Sequence, residues 1–130
     1  MAYTGTVTIT TGLGPDGRNM YRVSIAEAEG AAASEATITG LPTFGRVWRQ
    51  LLTKASGTAT TFDPILTTSA NGSGNDVVVE NDTAAGSPID NTAADGATYY
   101  SSTGTLYHKS VPDAGTDNTV TVVYHITEGW

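Results

Sequence analysis

Thr119-Val120-Thr121-Val122-Val123-Tyr124-His125-Ile126-Thr127 decides the fold. Val120, Val122, Tyr124 and Ile126 fall on alternate positions, and a β-strand turns alternate side chains to one face. β-branched and aromatic residues suit a pleated, half-buried surface. A second alternating stretch, Thr6-Val7-Thr8-Ile9-Thr10, stands near the other end, and threonine is the commonest residue of the chain. A sequence framed by such strands, with turn residues between them, predicts an all-β fold.

Working outward, Gly12 to Gly17 reads as a turn, with Pro15 and Asp16 at its centre and Gly17 at its exit. Met20 to Ala28 alternates again, with Tyr21, Val23 and Ile25 on one side and Arg22 and Ser24 on the other. Residues 1–28 therefore read as an N-terminal hairpin or arm. Short strands follow at Glu35–Thr39, Gly45–Lys54, Phe62–Thr67, Asp76–Glu80 and Gly104–Lys109. Within Gly45–Lys54, helical spacing is also available to Val47 and Leu51 and to Trp48 and Leu52. The β-rich surroundings favour a strand. Strict alternation then places Val47, Arg49 and Leu51 on one face and Trp48, Gln50 and Leu52 on the other. Residues 81–98, built mainly from Ala, Asp, Asn, Gly, Ser and Thr, read as a long loop. The expectation is one domain over 1–130: a β-sandwich or jelly-roll-like fold of about eight short strands with long polar loops.

Composition narrows the function. The 130 residues carry a net charge of -7, and only 15% are charged. A broad nucleic-acid footprint or an anionic membrane partner needs clustered Lys and Arg, so neither is expected. There is no cysteine, which removes disulfides and thiolate chemistry. The first residues show neither a basic end nor an apolar stretch of signal-peptide length, and no window is long enough for a membrane helix. The expected protein is soluble and made in the cytoplasm.

Catalytic patterns are weak. No serine sits in a Gly-x-Ser-x-Gly elbow, and no glycine-rich loop opens a helix. His108 and His125 read as ordinary strand histidines on a polar face. A metal held between them with Asp113 or Asp117 is the competing reading. Asn71-Gly-Ser-Gly-Asn-Asp76 has oxygen ligands but lacks the acidic spacing and closing Glu of a calcium loop, so it reads as a turn. Neither a metal nor another cofactor is expected, and the chain reads as a non-enzyme. Arg46 and Arg49 flank Trp48, with Lys54 close by. Trp and Arg are common interface anchors, which favours a protein contact there. Tyr99, Tyr100 and Trp130 are further candidate interface residues.

Five pieces occur in a suggestive order: Gly45-Arg-Val-Trp-Arg-Gln-Leu51, Phe62-Asp-Pro-Ile-Leu66, Gly104-Thr-Leu-Tyr-His-Lys109, Asp113-Ala-Gly115 and Thr119–Ile126. Over residues 37–128 this order resembles small virion structural proteins of tailed bacteriophages. The first hairpin has no counterpart in that pattern, and the central turn is less acidic. The resemblance implies a capsid cement or decoration protein, made in the host cytoplasm and resident in the virion. It implies a major capsid protein and copies of the chain itself as partners, in a homo-trimer or other homo-oligomer. Thr6, Val7, Thr8 and Ile9 would then form a strand able to add to a capsid sheet edge. A tail, neck or head-fibre component is the alternative within the virion. A carbohydrate- or receptor-binding module is the alternative outside it.

Overall fold

A computed structural model describes residues 5–13, 19–27, 35–80, 84–85, 88–114 and 118–129. Its strands are β1 (Gly5–Leu13), β2 (Asn19–Glu27), β3 (Ala36–Ile38), β4 (Phe44–Ser56), β5 (Thr61–Phe62), β6 (Ile65–Thr67), β7 (Val77–Glu80), β8 (Ala84–Ala85), β9 (Ile89–Tyr100), β10 (Leu106–Lys109) and β11 (Thr119–Glu128). They form a β-sandwich. One sheet has five strands in the order β1-β2-β11-β4-β9. The other has four, in the order β3-β10-β6-β7, and β5-β8 is a separate two-stranded ribbon. Neighbouring strands are antiparallel throughout.

The alternation in β11 is realised as expected: Val120, Val122, Tyr124 and Ile126 are all buried. They sit between Val23 and Ile25 of β2 and Val47 and Leu52 of β4. The same core takes in Ile38, Leu66 and Leu106 from the four-stranded sheet, with Phe62 from the ribbon. Each large apolar side chain removed from water contributes roughly 1.5–3 kcal/mol, which makes this inter-sheet layer the main favourable term.

Three expectations need correction. The strands number eleven among the described residues rather than about eight, and three of them run to ten residues or more. The long loop over 81–98 is largely strand: β9 starts at Ile89 and pairs with β4 over residues 89–92 and 97–100, with a shift of register between. Its small polar residues have poor strand propensity, but Ile89 and Tyr99 supply buried anchors at its two ends. The strict alternation in β4 also fails. Val47 opposes Ile126 and Arg49 opposes His125, so Trp48 is an extra residue in the ladder. That β-bulge turns Trp48 and Arg49 outward together and puts Val47, Gln50 and Leu52 on the inner face.

Loops are tied by side chains. Asn118 is buried, accepts from the Ala59 amide at 2.9 Å and donates to the Ala114 carbonyl at 3.0 Å. Asp113 accepts from the Thr60 amide at 2.9 Å and from its hydroxyl at 2.7 Å. These bonds hold the Asp113 carboxyl below the usual carboxylate range. The Asn71–Asp76 stretch is a turn, as its residues suggest. Ser69 Oγ donates to Asp76 Oδ2 at 2.8 Å, and a short 3₁₀ turn spans Gly74–Asp76.

Candidate functional site

The outer face of the five-stranded sheet gathers arginine and histidine residues that the sequence scatters. Arg22 of β2 opposes His125 of β11, and His125 opposes Arg49 of β4. The three form one row across three adjacent strands. Arg46, next along β4, opposes Thr127. Arg22, Arg46 and Arg49 are half of the six Lys and Arg residues in a chain of net charge -7. The row is felt at His125, whose pKa is lowered first by partial burial and then by the charges of Arg49 and Arg22.

Arg46 and Arg49 are held in place. Arg49 makes a two-pronged pair with Asp90 of β9, at 3.0 Å from Nε and 2.8 Å from Nη2. That pair keeps the Asp90 carboxyl below its ordinary range. Being exposed, it contributes well under about 1 kcal/mol to folding, but it fixes the guanidinium in position. Arg46 Nε donates to the Gly129 carbonyl at 3.0 Å. Trp48 Nε1 donates to Thr127 Oγ1 at 2.8 Å, which lays the half-buried indole over β11. At the end of the same face Phe44 opposes Tyr100, and these are the two large hydrophobic residues exposed there, at 38% and 68%.

Arg46, Trp48, Arg49 and Tyr100 therefore share one face, as a contact surface requires. Tyr99 does not belong with them. It is 4% exposed, covers Gly45 and donates its hydroxyl to the Pro42 carbonyl at 2.8 Å. Burial raises its pKa well above the ordinary phenol value. Adjacent strand residues point to opposite sides, so Tyr99 and Tyr100 could not both be surface anchors. Thr8 is exposed and Ile9 half-buried on β1, at the far edge of the sheet. Thr6 and Val7 lie in the same strand. Trp130 falls outside the described residues. Arg22 and His125 were absent from the expected set. The opposition of arginine and histidine residues across β2, β11 and β4 depends on strand order.

A second group of polar residues is buried between the sheets. His108, expected on a polar face, has no exposed surface. Its Nδ1 is hydrogen-bonded to the Tyr124 hydroxyl, and its Nε2 lies 2.6 Å from Ser110 Oγ and 3.7 Å from Glu27 Oε1. Gln50 Nε2 donates to the Tyr124 hydroxyl at 2.9 Å. One proton arrangement satisfies every one of these bonds. Gln50 donates to Tyr124, Tyr124 to His108 Nδ1, His108 Nε2–H to Ser110, and Ser110 to Glu27. Burial lowers the His108 pKa to about 3, so the ring is neutral. Burial raises Glu27 to about 7, against the opposing hydrogen bond from Ser110. Among the described residues, Glu27 Oε2 and Gln50 Oε1 have no hydrogen-bond partner.

The serine and the carboxylate approach the same imidazole nitrogen. A nucleophile–base–orienter triad needs them on opposite nitrogens, the serine giving its proton to one and the carboxylate orienting the ring through the other. This group is not arranged as such a triad and instead ties the sheets together. The cavity of about 230 Å³ between β7 and β9 is lined by other residues: the apolar Val47, Val78, Val79 and Ala97, with Arg49, Glu80 and Asn91. His125 lies on the outer face of β11 and His108 inside the sandwich, so the two histidines do not meet. No group of three or more metal-ligating side chains converges among the described residues.

Comparison with family models, with curated proteins and with solved structures finds no match to this chain. No helix among the described residues is long and apolar enough to cross a membrane.

Proposed function

We propose that this chain is a non-enzymatic structural protein of a tailed-bacteriophage virion, a cement or decoration protein that bridges capsid subunits. The observation that supports it best is the outer face of the five-stranded sheet. Arg22, Arg46, Arg49 and His125 lie there beside Trp48, and Phe44 and Tyr100 close one end. Trp, Tyr and Arg are the residue types that anchor protein interfaces. Arg49 is balanced there by Asp90 and His125 is held toward its neutral form, so Arg22 and Arg46 carry the net positive charge of the face. Positive charge on an acidic protein selects an acidic partner surface and turns the rest of the molecule away from it. The order of sequence pieces over residues 37–128 adds the virion context.

The mechanism is mass action. A protein that binds the assembled shell and not its separated subunits stabilises the shell by the free energy of that binding. Its partners are the major capsid protein and further copies of itself. The purified chain is to be sedimented with heads of the phage that encodes it, and separately with dissociated capsid subunits. Retention by heads alone supports the reading. Retention by tails moves the protein to the tail or neck, and binding to neither contradicts a virion role. The exposed Phe44–Tyr100 pair also fits a sugar ring, so selective binding on a glycan array would favour the carbohydrate-binding alternative.

A further inference from the structure

Sheet edges are sites of unwanted pairing, and natural proteins blunt them with charge, proline, bulges or shortness. Three of the four edges of this sandwich are blunted. β3 has three residues, and β7 has four and ends on Glu80. β9 follows Pro88, carries Asp90, and breaks register with β4 before Gly96, whose φ is +75°. β1 is different. Gly5–Leu13 is nine residues long with no charge and no proline, and its register against β2 is unbroken. Among the described residues no strand pairs with its outer side.

The sequence of that edge is close to self-complementary. In Thr6-Val7-Thr8-Ile9-Thr10, an antiparallel copy centred on Thr8 brings Thr8 opposite Thr8, Val7 opposite Ile9 and Thr6 opposite Thr10. Threonine meets threonine and one β-branched aliphatic residue meets another, both favourable cross-strand pairs. The two-fold arrangement closes on itself, as an isologous interface must. Copies with net charge -7 repel each other in general, but this strand brings no charge to the axis.

We propose that two copies of the chain join β1 to β1, antiparallel about a two-fold axis through Thr8. The two five-stranded sheets then become one sheet of ten strands, near the upper size of open twisted sheets. This specifies the self-association in the reading above. It is tested without a capsid, so its failure and a failure of shell binding are separate results.

The test uses the absence of cysteine. In the full chain, Thr8→Cys places two thiols directly across the axis, within reach of a disulfide. Thr10→Cys places them about 14 Å apart along the strand, which no disulfide spans. Under mild oxidation, Thr8→Cys is expected to give a covalent dimer on a non-reducing gel at least ten-fold faster than Thr10→Cys. Mixing Thr6→Cys with Thr10→Cys chains should give the covalent heterodimer. Sedimentation equilibrium of the cysteine-free chain should show a monomer–dimer equilibrium that Thr8→Lys weakens at least ten-fold, with an unchanged far-ultraviolet spectrum. Equal cross-linking at positions 8 and 10 overturns the proposal. So does a chain that stays monomeric at every concentration, including one whose β1 pairs only with a capsid strand.

Discussion

His108 and Tyr124 join the two sheets from inside: the imidazole Nδ1 of β10 and the phenol of β11 share a hydrogen bond in the middle of the apolar core. Their rings meet edge to face, with centroids 5.4 Å apart and planes at 70°. Polar groups in a dry core are costly unless paired, and paired ones fix a single arrangement of what surrounds them. The bond between β10 and β11 therefore sets how the four-stranded sheet sits on the five-stranded one.

Tyr124→Phe keeps the ring and removes the shared hydroxyl, so Gln50 Nε2 and His108 Nδ1 each lose a partner. The expected loss in urea unfolding is about 1–3 kcal/mol. Adding Gln50→Leu removes one stranded donor, so the double variant should lose less than the sum of the singles, with a coupling of at least about 0.5 kcal/mol. Simple additivity would show that the hydroxyl is not shared.

The dependence of stability on pH follows from Glu27 and His108. Glu27 rises from 4.5 to about 7, so its contribution is full below pH 4.5 and is lost as pH climbs through 7. His108 falls from 6.5 to about 3, so the unfolded chain takes up a proton that the folded chain refuses, and stability drops as pH falls below 6.5. Between pH 4.5 and 6.5 the two slopes oppose each other. Below 4.5 Glu27 no longer opposes the His108 loss, and the lowered carboxyls of Asp90 and Asp113 reinforce it. Urea midpoints measured across pH 3.5–8 should show a broad plateau that falls off in acid. Glu27→Gln should replace the plateau with a steady rise to pH 6.5. An unaltered profile in Glu27→Gln would mean that the carboxyl titrates normally.

Gly104 stands at φ +67°, and a Cβ there would lie 2.3 Å from the Leu41 carbonyl oxygen, which is backbone and cannot swing away. Its own carbonyl accepts from the Leu41 amide at 3.0 Å, so strand β3's exit and strand β10's entry are locked at this point. Gly104→Ala should cost about 2 kcal/mol or more in urea unfolding, from the left-handed backbone and the clash together. A loss under about 0.5 kcal/mol would mean that the two segments separate freely.

Arg46→Glu with Arg49→Glu reverses two charges on the outer sheet face while leaving the core untouched. Retention on phage heads should fall at least ten-fold, and wild-type retention should weaken as salt rises. Equal retention by the double variant would place the contact elsewhere.

The legible parts of the fold were those where pattern and burial coincide. In β2 and β11, Tyr21, Val23 and Ile25 and Val120, Val122, Tyr124 and Ile126 fall on alternate positions, so most of each inner face could be read directly, although Val123 and Glu27 break the pattern. β9 was hidden because Asp90 to Thr98 contains no large apolar residue; it is a strand through pairing with β4, not through its own composition. The Trp48 bulge was hidden because an extra residue in a ladder leaves no mark on sequence until its partner strand is known. The Arg46–Trp48–Arg49 part of the outer face showed up as a local cluster. The Glu27–Ser110–His108–Tyr124–Gln50 chain did not, because its members come from β2, β4, β10, β11 and the loop after β10 and meet only across the sandwich.

A map of the intact virion at side-chain resolution tests the central claim most directly. The prediction is a β-sandwich seated on the outer surface of the head, with Arg22, Arg46, Arg49 and Trp48 turned toward an acidic capsid surface. Density for this chain at the tail, no density on the particle, or a copy on the head with that sheet face turned to solvent would contradict it.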